Sequence, residues 1–149
     1  MFKLSKKYKT IDLYPDTWDV SDATLKGDAF IIRVCTGLKE AIGHPDYSYQ
    51  IGIAVPLNWE TETGIMSNAE SESLKEIEDQ IEKKIESKNT RLVGILTGRN
   101  MREFILYTSE PKIAEEKLEI LKNEVDSHKI QFIIQHDPEW NTYKFMIER

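Results

Sequence analysis

The stretch LVGILTGRNMREFILYT, Leu92 to Thr108, decides the fold. Its halves, Leu92 to Thr97 and Glu103 to Thr108, are apolar and β-branched runs of strand length. Gly98-Arg99-Asn100-Met101 lies between them, with Gly98 and Asn100 supplying the positive-φ positions of a tight turn, so the stretch reads as a β-hairpin. On either side of it the apolar period changes. Upstream, Leu74, Ile77, Ile81 and Ile85 recur at three- and four-residue spacing within Ser71 to Lys88, the pattern of an amphipathic helix. Glu70 and Glu72 crowd its start and Lys83, Lys84 and Lys88 its end, as the helix dipole favours. Downstream, Glu110-Pro111 opens a second helix, proline being tolerated in a first turn. Ala114, Leu118, Leu121 and Val125 form its buried stripe.

Working outward, Tyr49 to Leu57 is a strand with Pro56 confined to its end or to an edge, and Ile130 to Gln135 is the last strand. The order β-α-β-β-α-β predicts an α+β, ferredoxin-like two-layer sandwich: two helices on one face of an antiparallel sheet, the other face left to solvent, an extra segment or a partner. Ala29 to Val34 is an extra N-terminal strand that most simply pairs as a hairpin with Tyr49–Leu57. Asp137, as an N-cap, and Pro138, in a first turn, predict a short C-terminal helix over Pro138 to Ile147. It would present Trp140, Tyr143 and Phe145 or Met146. Residues 1–17 read as an N-terminal appendage and 18–149 as a single domain; the stretch through Lys26 reads as polar and irregular but carries Tyr8, Ile11, Leu13, Tyr14 and Trp18, which suits packing against the domain's side.

A chain of 149 residues with 40% hydrophobic content buries roughly 70% of its unfolded surface, enough for a core without metal or disulfide. The lone Cys35 excludes an internal disulfide and a multi-cysteine zinc cluster. With 26 acidic against 20 basic residues the net charge is −6, which argues against nucleic-acid affinity. Met1 to Thr10 has four lysines but no apolar stretch behind them, and no apolar run approaches the ~20 residues that span a bilayer. The expectation is a cytoplasmic protein that binds neither membrane nor nucleic acid.

Signals for chemistry are few. His44, His128 and His136 lack the i, i+3 or i+4 spacing of a zinc site, and no metal set or cofactor motif is present. His128 reads as solvated and His44 as an unremarkable loop residue. His136-Asp137 would suit a general base, but a cap accounts for Asp137 without chemistry. Cys35 reads as a small apolar residue at a strand end. Gly94 and Gly98 precede no helix, so they are no phosphate loop. Arg99 and Arg102 suit an anion site; edge protection and cross-strand pairing with Glu103 is the plainer reading. Trp18, Trp59, Tyr107, Trp140 and Tyr143 lie near loops and termini, where aromatics either line a pocket or seal the ends of a core. The candidate binding residues are Arg99, Arg102, Glu103, Tyr107, His136, Trp140 and Tyr143; none is assigned as catalytic.

Thr97-Gly98-Arg99-Asn100-Met101-Arg102-Glu103-Phe104-Ile105-Leu106-Tyr107-Thr108, followed by Asp137-Pro138-Glu139-Trp140-Asn141-Thr142-Tyr143, resembles the domain-of-unknown-function family 695 (DUF 695), with its T…REF.(F/L)Y hairpin and terminal DP.W..Y. Leu74-x-x-Ile77-Glu78-Asp79 and the upstream Trp18 also fit. The likeness runs from about Trp18 to Ile147 and implies no activity or catalytic residue. In layout the chain is distantly similar to the regulator of ribonuclease activity B family, acidic ferredoxin-like proteins that bind and inhibit an RNA-degrading enzyme, a likeness of fold only. Acidity and the lack of a nucleophile–base or metal constellation favour a non-enzymatic protein-binding or regulatory module, monomer or homodimer, whose partner carries a basic patch. The alternative is a small-molecule-binding protein or hydrolase using Arg102, Glu103, His136, Tyr107 and Trp140.

Overall fold

The computed structural model describes residues 7–58 and 66–148; Trp59 and Gly64 lie outside them. The described chain forms β1 (Trp18–Leu25), β2 (Asp28–Cys35), β3 (Tyr49–Pro56), α1 (Asn68–Lys84), β4 (Thr90–Gly98), β5 (Met101–Thr108), α2 (Pro111–Glu124), β6 (Gln131–His136) and α3 (Asn141–Ile147), with 3-10 turns at Ile11–Leu13 and Thr36–Ala41. The protein is α+β. Its six strands form one antiparallel sheet in the order β1-β2-β4-β5-β3-β6.

α1 and α2 bury their stripes on one sheet face. Leu74, Ile77, Ile81, Ile85, Ala114, Leu118 and Leu121 join Ile51, Ile53, Val55, Leu92, Ile95, Phe104 and Leu106 in one core, with Val125 packed beside it. α1 begins earlier than the apolar stripe indicates, because Ser67 caps it by accepting the Glu70 N–H, the Ser-x-x-Glu arrangement of a helix start. The opposite face carries a second core. Ile32, Val34, Val93, Ile105 and Tyr107 are covered there by Ile11, Tyr14, Leu38, Ala41, Tyr47, Trp140, Tyr143 and Met146. An extra layer, made of the segment around Ile11 to Tyr14, the β2–β3 connection and α3 with the turn before it, therefore covers much of that face. A bulge lets β4 serve both cores: Leu92 pairs Leu106 while Gly94 pairs Ile105, so Val93 is the additional residue and the alternation resets.

Three expectations are corrected. The Ala29–Val34 strand does not pair with Tyr49–Leu57, because β3 spends both edges on β5 and β6; β2 pairs β4 and β1 instead. Trp18–Leu25 is a strand and not irregular chain, closed on β2 through Lys26 and Gly27, both at positive φ. The hairpin that decides the fold turns at Arg99 (φ 54) and Asn100 (φ 57), not at Gly98, the two central positions of a type I′ turn. Gly98 has another duty: a Cβ there would lie 2.4 Å from the Phe30 ring.

Candidate functional site

Three of the seven candidate residues meet in one place, and it is sealed. Tyr107 (β5) stacks on Trp140 at 4.1 Å between ring centroids, and Tyr143 (α3) meets Trp140 edge-on at 5.6 Å. All three side chains are fully buried. The Tyr107 hydroxyl donates to Asp137 Oδ2 (2.7 Å) and accepts the Tyr143 N–H; the Tyr143 hydroxyl donates to the Cys35 carbonyl (2.6 Å); the Trp140 indole N–H donates to the Tyr47 carbonyl (2.9 Å). Burial first, and the Asp137 carboxylate second, push the Tyr107 phenol above the usual tyrosine range, and burial pushes Tyr143 up likewise. Such phenols stay protonated and hold structure. Asp137 caps α3 by accepting the Asn141 and Thr142 N–H groups, but the helix begins at Asn141 and not Pro138. An intervening turn, closed by the Trp140 N–H on the Asp137 carbonyl, sets Trp140 itself at the N-cap with φ 60.

A second buried network straps the N-terminal segment to the sheet, and sequence reasoning missed its centre. Arg91 donates to the carbonyls of Ile11 (2.9 Å), Tyr14 (3.2 Å) and Pro15 (3.3 Å) and lies 3.7 Å from Cys35 Sγ. Burial outweighs Arg91 and raises the Cys35 thiol, so Cys35 is no thiolate nucleophile at neutral pH. His44 is buried, not a free loop residue: its Nδ1 accepts the Asp46 N–H, so Nε2 donates to the Lys9 carbonyl (2.7 Å). Gly37 passes so close to this strap that a Cβ would sit 1.9 Å from the Pro15 carbonyl oxygen.

The remaining candidates do not converge. Arg102 and Glu103 point to opposite sheet faces, as neighbours in a strand must. Arg102 turns toward α1, donates to Thr97 Oγ1 (3.0 Å), and is drawn below the usual arginine value by burial against the opposing pull of Glu78. Glu103 is exposed. Arg99 pairs with Asp28 (2.6 Å) over the Phe30 ring, so Arg99 and Arg102 have separate partners and do not build one anion site. His136 is exposed beside the Tyr49 ring. Next to Arg99 a groove of about 540 Å³ opens between the ends of β1, β2 and β4 and the start of α1, with Phe30, Ile31, Leu57 and Met66 among its walls. Glu70 forms part of its rim. Glu70 is buried against His128 (2.9 Å) and accepts the Asn58 N–H (2.6 Å). His128 is thus a core fastener and not solvated.

The helical face carries the charge. Toward β2, Glu78 pairs bidentately with Arg33 (2.8 and 3.2 Å). Beyond it, burial and then Glu78, Asp79 and Asp16 raise the Glu82 carboxyl, and burial raises Glu86, whose Oε2 accepts the Leu92 N–H. Toward α2, a furrow of about 430 Å³ is lined by Glu76, Gln80, Lys84, Leu121, Glu124 and Asp126. Lys84 is tied to Glu124 across it. At its wall Gln80 Oε1 is buried and has no donor among the described residues. No set of three or more metal-ligating side chains occurs among the described residues.

Fold and surface together define a small α+β protein whose sheet is clad on both faces and whose helical layer is acidic. The model of the family of unknown function DUF695 matches residues 16–147. The chain belongs to that family. Comparison with curated proteins and with solved structures finds no match.

Proposed function

We propose that the chain is a non-enzymatic, cytoplasmic protein-binding or regulatory module of the ferredoxin-like type that recognises a basic segment of its partner. The strand order β4-β5-β3-β6 with both helices on one face supports the ferredoxin-like reading, β2 and β1 being added at the β4 edge. One observation carries the functional reading: the furrow between α1 and α2 holds a buried amide oxygen, that of Gln80, with no donor among the described residues, and three carboxylates, Glu76, Glu124 and Asp126, stand around it against the single Lys84. An unsatisfied buried acceptor is costly, and an arginine or lysine side chain laid in the furrow would supply both the donor and the opposite charge. The net charge of −6 would speed the encounter with a basic surface.

The test is titration of 15N-labelled protein with an arginine-containing basic peptide at physiological salt. Shifts concentrated on the Gln80 side-chain amide and the facing ends of α1 and α2, and lost with Gln80→Leu, are expected. Shifts spread evenly over every acidic residue would reject a seated arginine.

The groove beside Arg99 favours a second reading, small-molecule binding. Its volume of about 540 Å³ lies in the range of ligand pockets. An apolar ligand there would raise the melting temperature of the native chain and not of Ile31→Arg.

A further inference from the structure

The two edges of the sheet differ in chemistry. β1 carries Asp19 and Asp22, charges of the kind that deter a second strand. β6, at the other edge, reads Gln131-Phe132-Ile133-Ile134-Gln135-His136, without a fixed charge or a proline. Its inner side is fully paired with β3, and no described residue pairs its outer side. Ile133 is 59% exposed on the face away from the helices, while Phe132 and Ile134 pack against the helical-face core.

We infer that the chain forms a twofold dimer in which β6 pairs antiparallel with β6 of a second copy, continuing the sheet. For a continuous sheet the residues opposite one another must share a face. The register centred on Ile133 meets that condition. Ile133 then opposes its own copy, Gln131 opposes Gln135, and Phe132 opposes Ile134. Every pair is apolar on apolar or amide on amide, with no charge to desolvate.

The charges beside the edge match the same symmetry. α2 packs against both α1 and β6, and its Leu121 and Glu124 line the furrow on the α1 side. The other flank of α2, toward the edge, carries Glu115 and Lys122, seven residues apart and both exposed. The short connection from α2 to β6 sets Lys122 beside the start of β6, where it borders a hollow with Lys129 and Gln131, and leaves Glu115 beside its end. The twofold operation brings Lys122 of each copy opposite Glu115 of the other, twice. This self-complementarity of an uncharged strand and an opposed charge pair selects a second copy over a foreign strand.

Sedimentation velocity over a broad concentration range tests this, with the mass expected to rise from 17.3 kDa toward twice that value. Ile133→Lys should remain monomeric throughout, with an unchanged melt at low concentration because its site is exposed. Lys122→Glu and Glu115→Lys should each weaken association about five- to tenfold, and the double reversal should restore it to within about twofold. A native mass fixed at the monomer value overturns the inference. So does a dimer that survives Ile133→Lys, or a double reversal as weak as either single change.

Discussion

Arg91 illustrates how one side chain can hold a terminal segment. Its guanidinium meets three backbone carbonyls of residues 11–15, and hydrogen bonds to a charged group are each worth about 1.5–3 kcal/mol. Arg91→Met should therefore cost at least ~3 kcal/mol in urea melts, since the Ile11 and Tyr14 carbonyls are left buried without a donor. Glu86 works the other way. Its folded-state value is raised above 4.5, so its contribution is present below pH 4.5 and is lost as pH rises through the raised value. Glu86→Gln keeps the acceptor for the Leu92 N–H and removes that loss. It should be more stable than the native chain at pH 7 and indistinguishable from it at pH 3; equal stability at both would show that the carboxylate carries no such cost. For the raised phenols Tyr107 and Tyr143 the unfolded chain ionises first, above the ordinary value of 10. Stability should fall as pH rises past 10, and Tyr143→Phe should flatten that fall.

At the scale of elements, the stripe arguments are the simplest. Leu118 is fully buried between α2 and the sheet, so Leu118→Ala should cost ~2–5 kcal/mol. The α3 start makes a finer distinction. Asp137 serves Tyr107, Asn141 and Thr142 with two carboxylate oxygens; an asparagine has one oxygen. Asp137→Ala should cost about 1–3 kcal/mol through the lost cap and a buried phenol left without an acceptor for its proton. Asp137→Asn should fall between it and the native chain in thermal melts. Both helix stripes, the hairpin and the C-terminal cap were legible because each rests on residues within one or two turns of each other. Of the hairpin's positive-φ pair, Asn100 was legible and Arg99 was not. Gly98 looked like the turn residue, while its missing side chain makes room for Phe30 on a neighbouring strand.

At the scale of the whole molecule, the sheet is a sandwich filling with a core on each side, and the N-terminal segment belongs to one of them. Ile11 and Tyr14 are buried there, and full burial of such side chains is worth roughly 1.5–3 kcal/mol each. A chain starting at Trp18 should accordingly melt far below the native one and expose the Arg91 site. The distributed negative charge leads to a further expectation, that the native chain shows no salt-sensitive retention of RNA or DNA at physiological ionic strength in a gel shift. Retention would shift attention to the basic N-terminal residues. The candidate site was the least legible level. Tyr107, Trp140 and Tyr143 do meet, but in a sealed core, while Arg99 and Arg102 have separate partners and Glu103 and His136 lie exposed.

The sequence by itself determined what is local and periodic: two helices and their buried faces, the central hairpin, the β-α-β-β-α-β order, the acidic balance. Those properties follow from residue spacing and charge, which need no knowledge of distant neighbours. Only the tertiary structure decided which strands adjoin, that β2 lies against β4 and closes on β1, and that the Ile11–Tyr14 segment and α3 clad the second face. It also decided that Arg91, His44 and His128 are fasteners. Each of these depends on pairs tens of residues apart. For a buried polar side chain, identity alone does not say whether the partner that satisfies it is water or a carbonyl brought near by folding.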